Sequence, residues 1–210
     1  MTSMAERKRR LVADEITEAA LQLMAVKGFD ATTIDEVAVA AGVSRRTFFR
    51  YFASKEDVAV RLLADLGEAM CAELAARPAG ESPSEALRHA VEVALDDCHG
   101  EDGGGNNVKA LRVVQLILGT PALLARFLER QWQWRMDLAD RLAQRLGLAS
   151  GAEVYTRMAA STALAAFETV VQRWAESDGA VDIDKLTAEV FAVVAPALDL
   201  VPKGAQLRSV

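Results

Sequence analysis

Residues 32–55 read Thr-Thr-Ile-Asp-Glu-Val-Ala-Val-Ala-Ala-Gly-Val-Ser-Arg-Arg-Thr-Phe-Phe-Arg-Tyr-Phe-Ala-Ser-Lys. Thr33 with Glu36 three residues later is a capping box, so the spacing predicts a helix from Thr33 to about Ala41. Gly42 supplies the turn, since a residue without Cβ enters the left-handed region at no steric cost. Ser44 then caps a second short helix running to about Tyr51, and Ser54 with Asp57 caps another. The helix after the glycine turn opens with two arginines, Arg45 and Arg46, and carries Phe48, Phe49, Tyr51 and Phe52 behind them. It is a cationic rod on an apolar base.

Outward from this segment, apolar residues recur at helical spacing almost everywhere, and no alternating strand pattern or internal repeat is visible. A first helix is expected over about 6–27, with Ile16, Ala20 and Leu23 facing inward and Gly28 ending it. A connecting helix is expected over about 55–76, followed by a Pro/Gly/Ser-rich linker at 77–84. Further helices are expected over 84–98, 107–118, 121–146, 152–176 and 182–198, with a glycine loop at 99–107 and a frayed tail from Pro202. The fold class is therefore all-α: a three-helix N-terminal domain with a helix-turn-helix (1–55), then a larger helical bundle (56–210) entered through the connecting helix.

The 210 residues carry a net charge of −6, unevenly spread. Residues 1–55 hold nine Lys/Arg against seven Asp/Glu, and residues 56–210 hold fifteen against twenty-three. Positive charge gathers at Arg7, Lys8, Arg9 and Arg10 and again at Arg45, Arg46, Arg50 and Lys55. An acidic body with one small basic face repels a polyanion from every other side. No run of 18 apolar residues suggests a membrane span. The basic N-terminus leads into an amphipathic stretch with Asp14, Glu15 and Glu18, which is unlike a secretory signal. Cys71 and Cys98 make no pair or metal spacing, which fits a reducing cytoplasm.

A helix-turn-helix places its second helix in the DNA major groove, with the N-terminal residues of that helix at base edges. Those residues here are Ser44, Arg45 and Arg46. An arginine fork can bond guanine O6 and N7. Thr47 and Tyr51 carry hydroxyls suited to phosphate, Thr32 and Thr33 are expected to offer free N–H groups at a helix start, and Lys55 is expected to add another phosphate contact. Ile34, Val37, Ala38, Val43, Phe48 and Phe52 are the expected apolar glue, with Phe48 or Phe49 left as the aromatic that faces DNA.

Thr33, Ile34, Val37, Ala38, Ala41-Gly42-Val43-Ser44, Thr47, Phe48-Phe49, Tyr51-Phe52 and Ser54-Lys55-Glu56 together resemble the TetR family of one-component bacterial transcription regulators. The resemblance covers residues 10–60, and the length and all-helical remainder agree with it. It implies a homodimer on a palindromic operator, usually repressing, released by a small ligand in the C-terminal domain, with the last two helices forming the dimer interface. Two positions depart from the family pattern. Phe49 stands where a tyrosine usually contacts phosphate, and Arg46 stands where glycine is common. Arg46 is expected to restore a charge contact that Phe49 gives up.

In the helix over 121–146, Leu124, Phe127, Leu128, Leu138, Leu142 and Leu146 make a stripe, and Gln131 and Arg135 fall inside it. Polar groups on a core-facing stripe need partners. A ligand carboxylate or carbonyl is one, and Glu168, Asp137, Asp140 or a dimer contact are others. With Gln115 and Trp134 these residues are the candidate effector-binding set. The helix over 152–176 carries a bulky stripe (Ala160, Leu164, Phe167, Val171, Trp174) and a small-residue face (Ser161, Thr162, Ala165, Thr169). In the last helix Ile183, Leu186, Val190, Val193 and Val194 supply more apolar surface than one helix needs.

An enzyme is not indicated, and no catalytic residues, metal site or cofactor are assigned. The cluster Asp96, Asp97, Cys98, His99, Glu101, Asp102 reads as a solvated acidic helix end. The competing reading keeps the fold without DNA, as a dimeric small-molecule-binding or protein-interaction module. Adjacent arginines on a helix that faces nothing argue against it.

Overall fold

The structure is a computed structural model, and it describes residues 4–63, 66–98, 107–148 and 153–201. Ten α-helices make up these residues: α1 (Met4–Lys27), α2 (Ile34–Ala40), α3 (Arg45–Tyr51), α4 (Lys55–Val60), α5 (Leu66–Ala76), α6 (Pro83–Leu95), α7 (Val108–Gly119), α8 (Pro121–Leu146), α9 (Glu153–Glu176) and α10 (Ile183–Leu198). Short 3-10 turns follow α4 and α6. No strand occurs among the described residues. The expected glycine loop lies outside them apart from Asn107, as do the tail from Pro202 and the acidic cluster beyond Cys98.

The chain forms two compact units. The first holds residues 1–63 and Gln115–Phe127, and the second holds Ala64–Val114 and the chain from Leu128 onward. The first unit thus continues past the domain boundary expected at residue 55 and takes in a second segment. The connecting helix expected over 55–76 is also divided, since α4 gives way to a 3-10 turn at Arg61–Leu63 before α5 begins.

In the first unit α1 packs on α2 and α4, and α2 packs on α3. Ile16, Ala20, Met24, Val37, Phe48, Phe52 and Val58 are buried together in its interior. The turn between α2 and α3 follows from Gly42, whose φ of +65° is open to glycine. It lets the Val43 N–H reach the Ala38 carbonyl at 2.9 Å, closing α2 in a Schellman arrangement. The Thr33–Glu36 capping box forms as expected, and Ser44 and Ser54 accept from the N–H groups of Thr47 and Asp57.

In the second unit α6 packs against α5, α9 and α10. Its start at Pro83 lies one residue earlier than the expected start at Ser84. Ser82 and Glu85 form a capping box with Pro83 in the first helical turn, where its missing N–H costs nothing. Asp199 accepts from the Ser84 N–H at 2.9 Å and its hydroxyl at 2.8 Å, tying this start to the end of α10. Arg145, in the last turn of α8, donates to the carbonyl oxygens of Arg77 (2.6 Å) and Glu81 (3.2 Å). Arg77 in turn pairs with Glu73 and Glu81, which holds the Glu81 carboxyl below the usual range. The bulky α9 stripe expected from spacing is buried throughout, from Ala160 to Trp174. Gly67 is buried in α5 against the indole of Trp134, where an added Cβ would overlap the ring.

Candidate nucleic-acid interface

The α3 helix sorts its aromatics by face. Phe48 is fully buried and packs against Phe52 with ring centroids 5.7 Å apart. Phe49, one position on, is 46% exposed and meets Phe48 edge-on at 5.5 Å. Of the two aromatics left as candidates, Phe48 therefore lies inside the unit and Phe49 outside. A rotation of about 100° per residue sends consecutive side chains apart, so anchoring Phe48 turns Arg46, Phe49 and Arg50 outward, and Ser44 and Arg45 are exposed at the start of the helix. Arg46, Thr47, Phe49 and Arg50 line an open groove on that face.

The polar groups of this face are already organised. Ser44 accepts from the Thr47 N–H at 3.0 Å, and the two hydroxyls lie 2.9 Å apart. Arg45 Nη1 lies 3.1 and 3.2 Å from the two carboxylate oxygens of Asp35 on α2, and its guanidinium stands 5.7 Å from the Phe49 ring centroid. Arg50 lies over the Tyr51 ring at 5.1 Å and donates to its hydroxyl at 3.4 Å. Asp35 and Arg50 are parts of this face that were not placed in the expected site. Arg50 was visible as charge, whereas Asp35 joins the face only through folding.

Three expectations for phosphate contacts change. Thr32 is buried: its hydroxyl donates to the Gly28 carbonyl at 2.8 Å and its N–H to the Phe29 carbonyl at 3.2 Å. The Thr33 N–H donates to Glu36 Oε2 at 2.9 Å, so the capping box consumes the donor expected to be free. Glu36 also pairs with Lys27, and these bonds, from Lys27 first and Thr33 second, pull its pKa down to about 2. Lys55 turns inward. Its ammonium donates to the carbonyls of Phe29 (2.8 Å) and Thr32 (3.1 Å) and sits 4.3 Å from the Phe29 ring centroid. It satisfies carbonyls left open beyond the end of α1.

On α8 the buried face is Leu123, Phe127, Gln131, Trp134, Leu138 and Leu142. Leu128, expected on the inner stripe, is 47% exposed, and Leu123 takes the buried place that spacing had given to Leu124. Gln131 is 3% exposed and its Nε2 has no hydrogen-bond partner. The Nε of half-buried Arg135, one helical turn on, has none either. None of the acceptors weighed for them, Glu168, Asp137 or Asp140, receives these two donors. Trp134 is buried edge-on to Phe167 at 6.2 Å. Gln115 is half-buried on α7 and belongs to the first unit, so the four candidates are not gathered in one unit. The Cys71 thiol is pushed up chiefly by burial and then by the Asp137 carboxylate. No group of three or more His, Cys, Asp or Glu among the described residues is placed to hold a metal ion.

A small helical unit that turns a cationic helix outward behind a glycine turn has the architecture of a helix-turn-helix unit, which defines the class of this chain. The chain belongs to the tetR family of bacterial regulatory proteins, whose sequence pattern matches residues 16–62. The pattern of the MftR C-terminal domain matches residues 81–199. Over 144 residues the chain is 38% identical to the HTH-type transcriptional regulator TcmR of Streptomyces glaucescens, covering 68% of this chain and 64% of that protein. The shared region is thus under two-thirds of TcmR. It is 28% identical over 193 residues to the regulator MftR of Mycobacterium tuberculosis (strain ATCC 25618 / H37Rv), covering 92% and 94% of the two chains. The crystal structure of Thermus thermophilus FadR, a TetR-family transcriptional repressor in complex with lauroyl-CoA, superposes with a TM-score of 0.51. That chain is 27% identical, and the match covers 94% of this chain and 100% of that one. No single helix among the described residues is long and apolar enough to cross a membrane.

Proposed function

We propose that the protein represses transcription in the cytoplasm as a homodimer on a palindromic operator, and that a small molecule bound in the second unit releases it. The observation that carries this reading is the outward face of α3, with Arg45, Arg46, Phe49 and Arg50 exposed over a buried Phe48. Arg45 and Arg46 meet base edges beside Ser44. Thr47, Tyr51 and Arg50 hold the helix to phosphates, and Phe49 contributes apolar contact. Thr32, Thr33 and Lys55 leave the phosphate set, because their polar groups are used within the unit.

The dimer surface proposed is the groove between α9 and α10, lined by Ser161, Thr162, Ala165, Ala166, Thr169, Val190 and Val194. The hydroxyls of Ser161, Thr162 and Thr169 donate to carbonyls one turn back at 2.7–2.9 Å, so this face offers no unpaired donors to a partner. Val193 and Met158 extend the exposed apolar surface. The effector contacts proposed are Gln131 and Arg135, whose orphaned donors call for an acceptor oxygen, with Trp134 supplying apolar surface. A carbonyl on an apolar body fits that demand, and lauroyl-CoA, the ligand in Thermus thermophilus FadR, has one.

The test begins with a consensus duplex selected from a randomised DNA library. Wild type should bind it as a dimer, and Arg46→Ala should bind more weakly, with the slope of log affinity against log salt reduced by about one unit. An unchanged slope removes Arg46 from the interface, and failure to select any consensus overturns the DNA reading. Ala165→Arg should yield monomers in sedimentation.

A further inference from the structure

We propose that Asp35 is a positioning residue for base recognition: with Phe49 it holds Arg45 in the geometry that reads one base pair of the operator. This rests on the reading that α3 meets base edges, and extends it to a residue of α2. The Asp35 bonds use Nη1 alone, at 3.1 and 3.2 Å. The Phe49 ring flanks the same guanidinium at 5.7 Å. A carboxylate on one edge and an aromatic ring beside it restrict a side chain that is otherwise free to swing, and the Nε and Nη2 edge remains for an acceptor pair such as guanine O6 and N7.

Stability does not account for this arrangement. Arg45 and Asp35 keep 63% and 65% of their side-chain surface exposed, and an ion pair so open to water contributes little to folding. Its effect falls on the bound state. A guanidinium already ordered loses less rotamer freedom when it meets a base. The Asp35 carboxylate also stands on the face that meets DNA, where it opposes phosphate at any register in which Arg45 is not rewarded by a base. The same residue thus strengthens the right contact relative to the wrong ones. Phe49 gains a role here as well: where a tyrosine would spend a hydroxyl on phosphate, the phenyl ring supports the reading arginine.

The experiment compares wild type, Asp35→Asn, Asp35→Glu, Arg45→Ala and the Asp35→Asn/Arg45→Ala double variant. Each is titrated against the selected consensus duplex, every single-base-pair variant of it, and a consensus-free duplex. Arg45→Ala should flatten the preference at one base pair in each half-site. Asp35→Asn should weaken that same preference by about fivefold or more, while binding the consensus-free duplex as tightly as wild type or tighter. Asp35→Glu should restore part of the preference, and the double variant should match Arg45→Ala. If Asp35→Asn keeps full discrimination at that base pair, or alters a different one, the positioning role is overturned and the DNA reading stands. If Arg45→Ala leaves every base preference intact, base reading by Arg45 fails, and this inference fails with it.

Discussion

The ammonium of Lys55 lies 2.8 Å from the carbonyl oxygen of Phe29 and 4.3 Å from the centroid of the same residue's ring. One cation therefore closes the loop after α1 through both the backbone and the side chain of a single residue. Lys55→Met should destabilise the first unit by about 1–2 kcal/mol, from loss of charge-assisted hydrogen bonds at a half-buried site. Below the melting transition the salt slope of operator binding should stay at the wild-type value. A normal melting curve with a reduced slope would instead put Lys55 on a phosphate.

Gln131 makes the opposite kind of prediction. Its buried Nε2 lacks an acceptor, so Gln131→Leu removes a desolvated donor while preserving most of the volume. The variant should be as stable as wild type or more so, by up to about 2 kcal/mol, seen as an unchanged or higher urea midpoint at constant m-value. It should also lose the response to any effector that releases the wild type from DNA. Destabilisation by more than about 1 kcal/mol would show that the side chain is satisfied within the fold.

Gly67→Ala sets two effects against each other. Alanine gains about 1 kcal/mol of helix propensity over glycine. The new Cβ, however, would meet the ring of Trp134, which is 2% exposed and cannot swing away. Overpacking costs about 1–3 kcal/mol, so the net change should be a loss. Trp134→Leu should recover part of it in the double variant. Additive effects in that cycle would separate the two sites.

Acid stability follows from Glu36. Its carboxyl titrates near 4.5 in an unfolded chain and about 2 in the folded one, so the unfolded state binds the proton first. The contribution is complete above 4.5 and is lost as pH falls from 4.5 towards 2. Glu36→Gln should be less stable than wild type at neutral pH, and the gap should close on acidification through that window. A gap that stays constant would mean that the Lys27 and Thr33 contacts carry no net free energy.

Thr33, Gly42, Ser44 and Ser54 were legible in the sequence because each acts on a neighbour no more than five residues away. The buried stripes of α2 and α9 were legible for the same reason, through helical period. Lys55 and Asp35 were not, because their partners lie 26 and 10 residues distant, and only the folded unit brings them together. A lysine beside a helix start looks the same in sequence whether it turns to phosphate or back to a carbonyl. Leu128 was misplaced because a long helix turns through many residues: once Leu123 and Phe127 are buried, Leu128 lies about 100° round from Phe127. Gln131 and Arg135 could be seen to lie on the wrong face for polar residues, but which acceptors they lacked required coordinates.

The three tryptophans stand in unlike surroundings. Trp134 and Trp174 are 2% and 0% exposed, whereas Trp132 is 57% exposed beneath the guanidinium of Arg135, 5.6 Å from its ring centroid. The protein therefore contains its own optical probe, one residue from Gln131. Exposed Trp132 should emit at longer wavelength and be open to quenchers, unlike the two shielded indoles, and should respond to movement of Arg135. An effector that takes up the orphaned donors of α8, as proposed, should change that emission, with no label added to the chain.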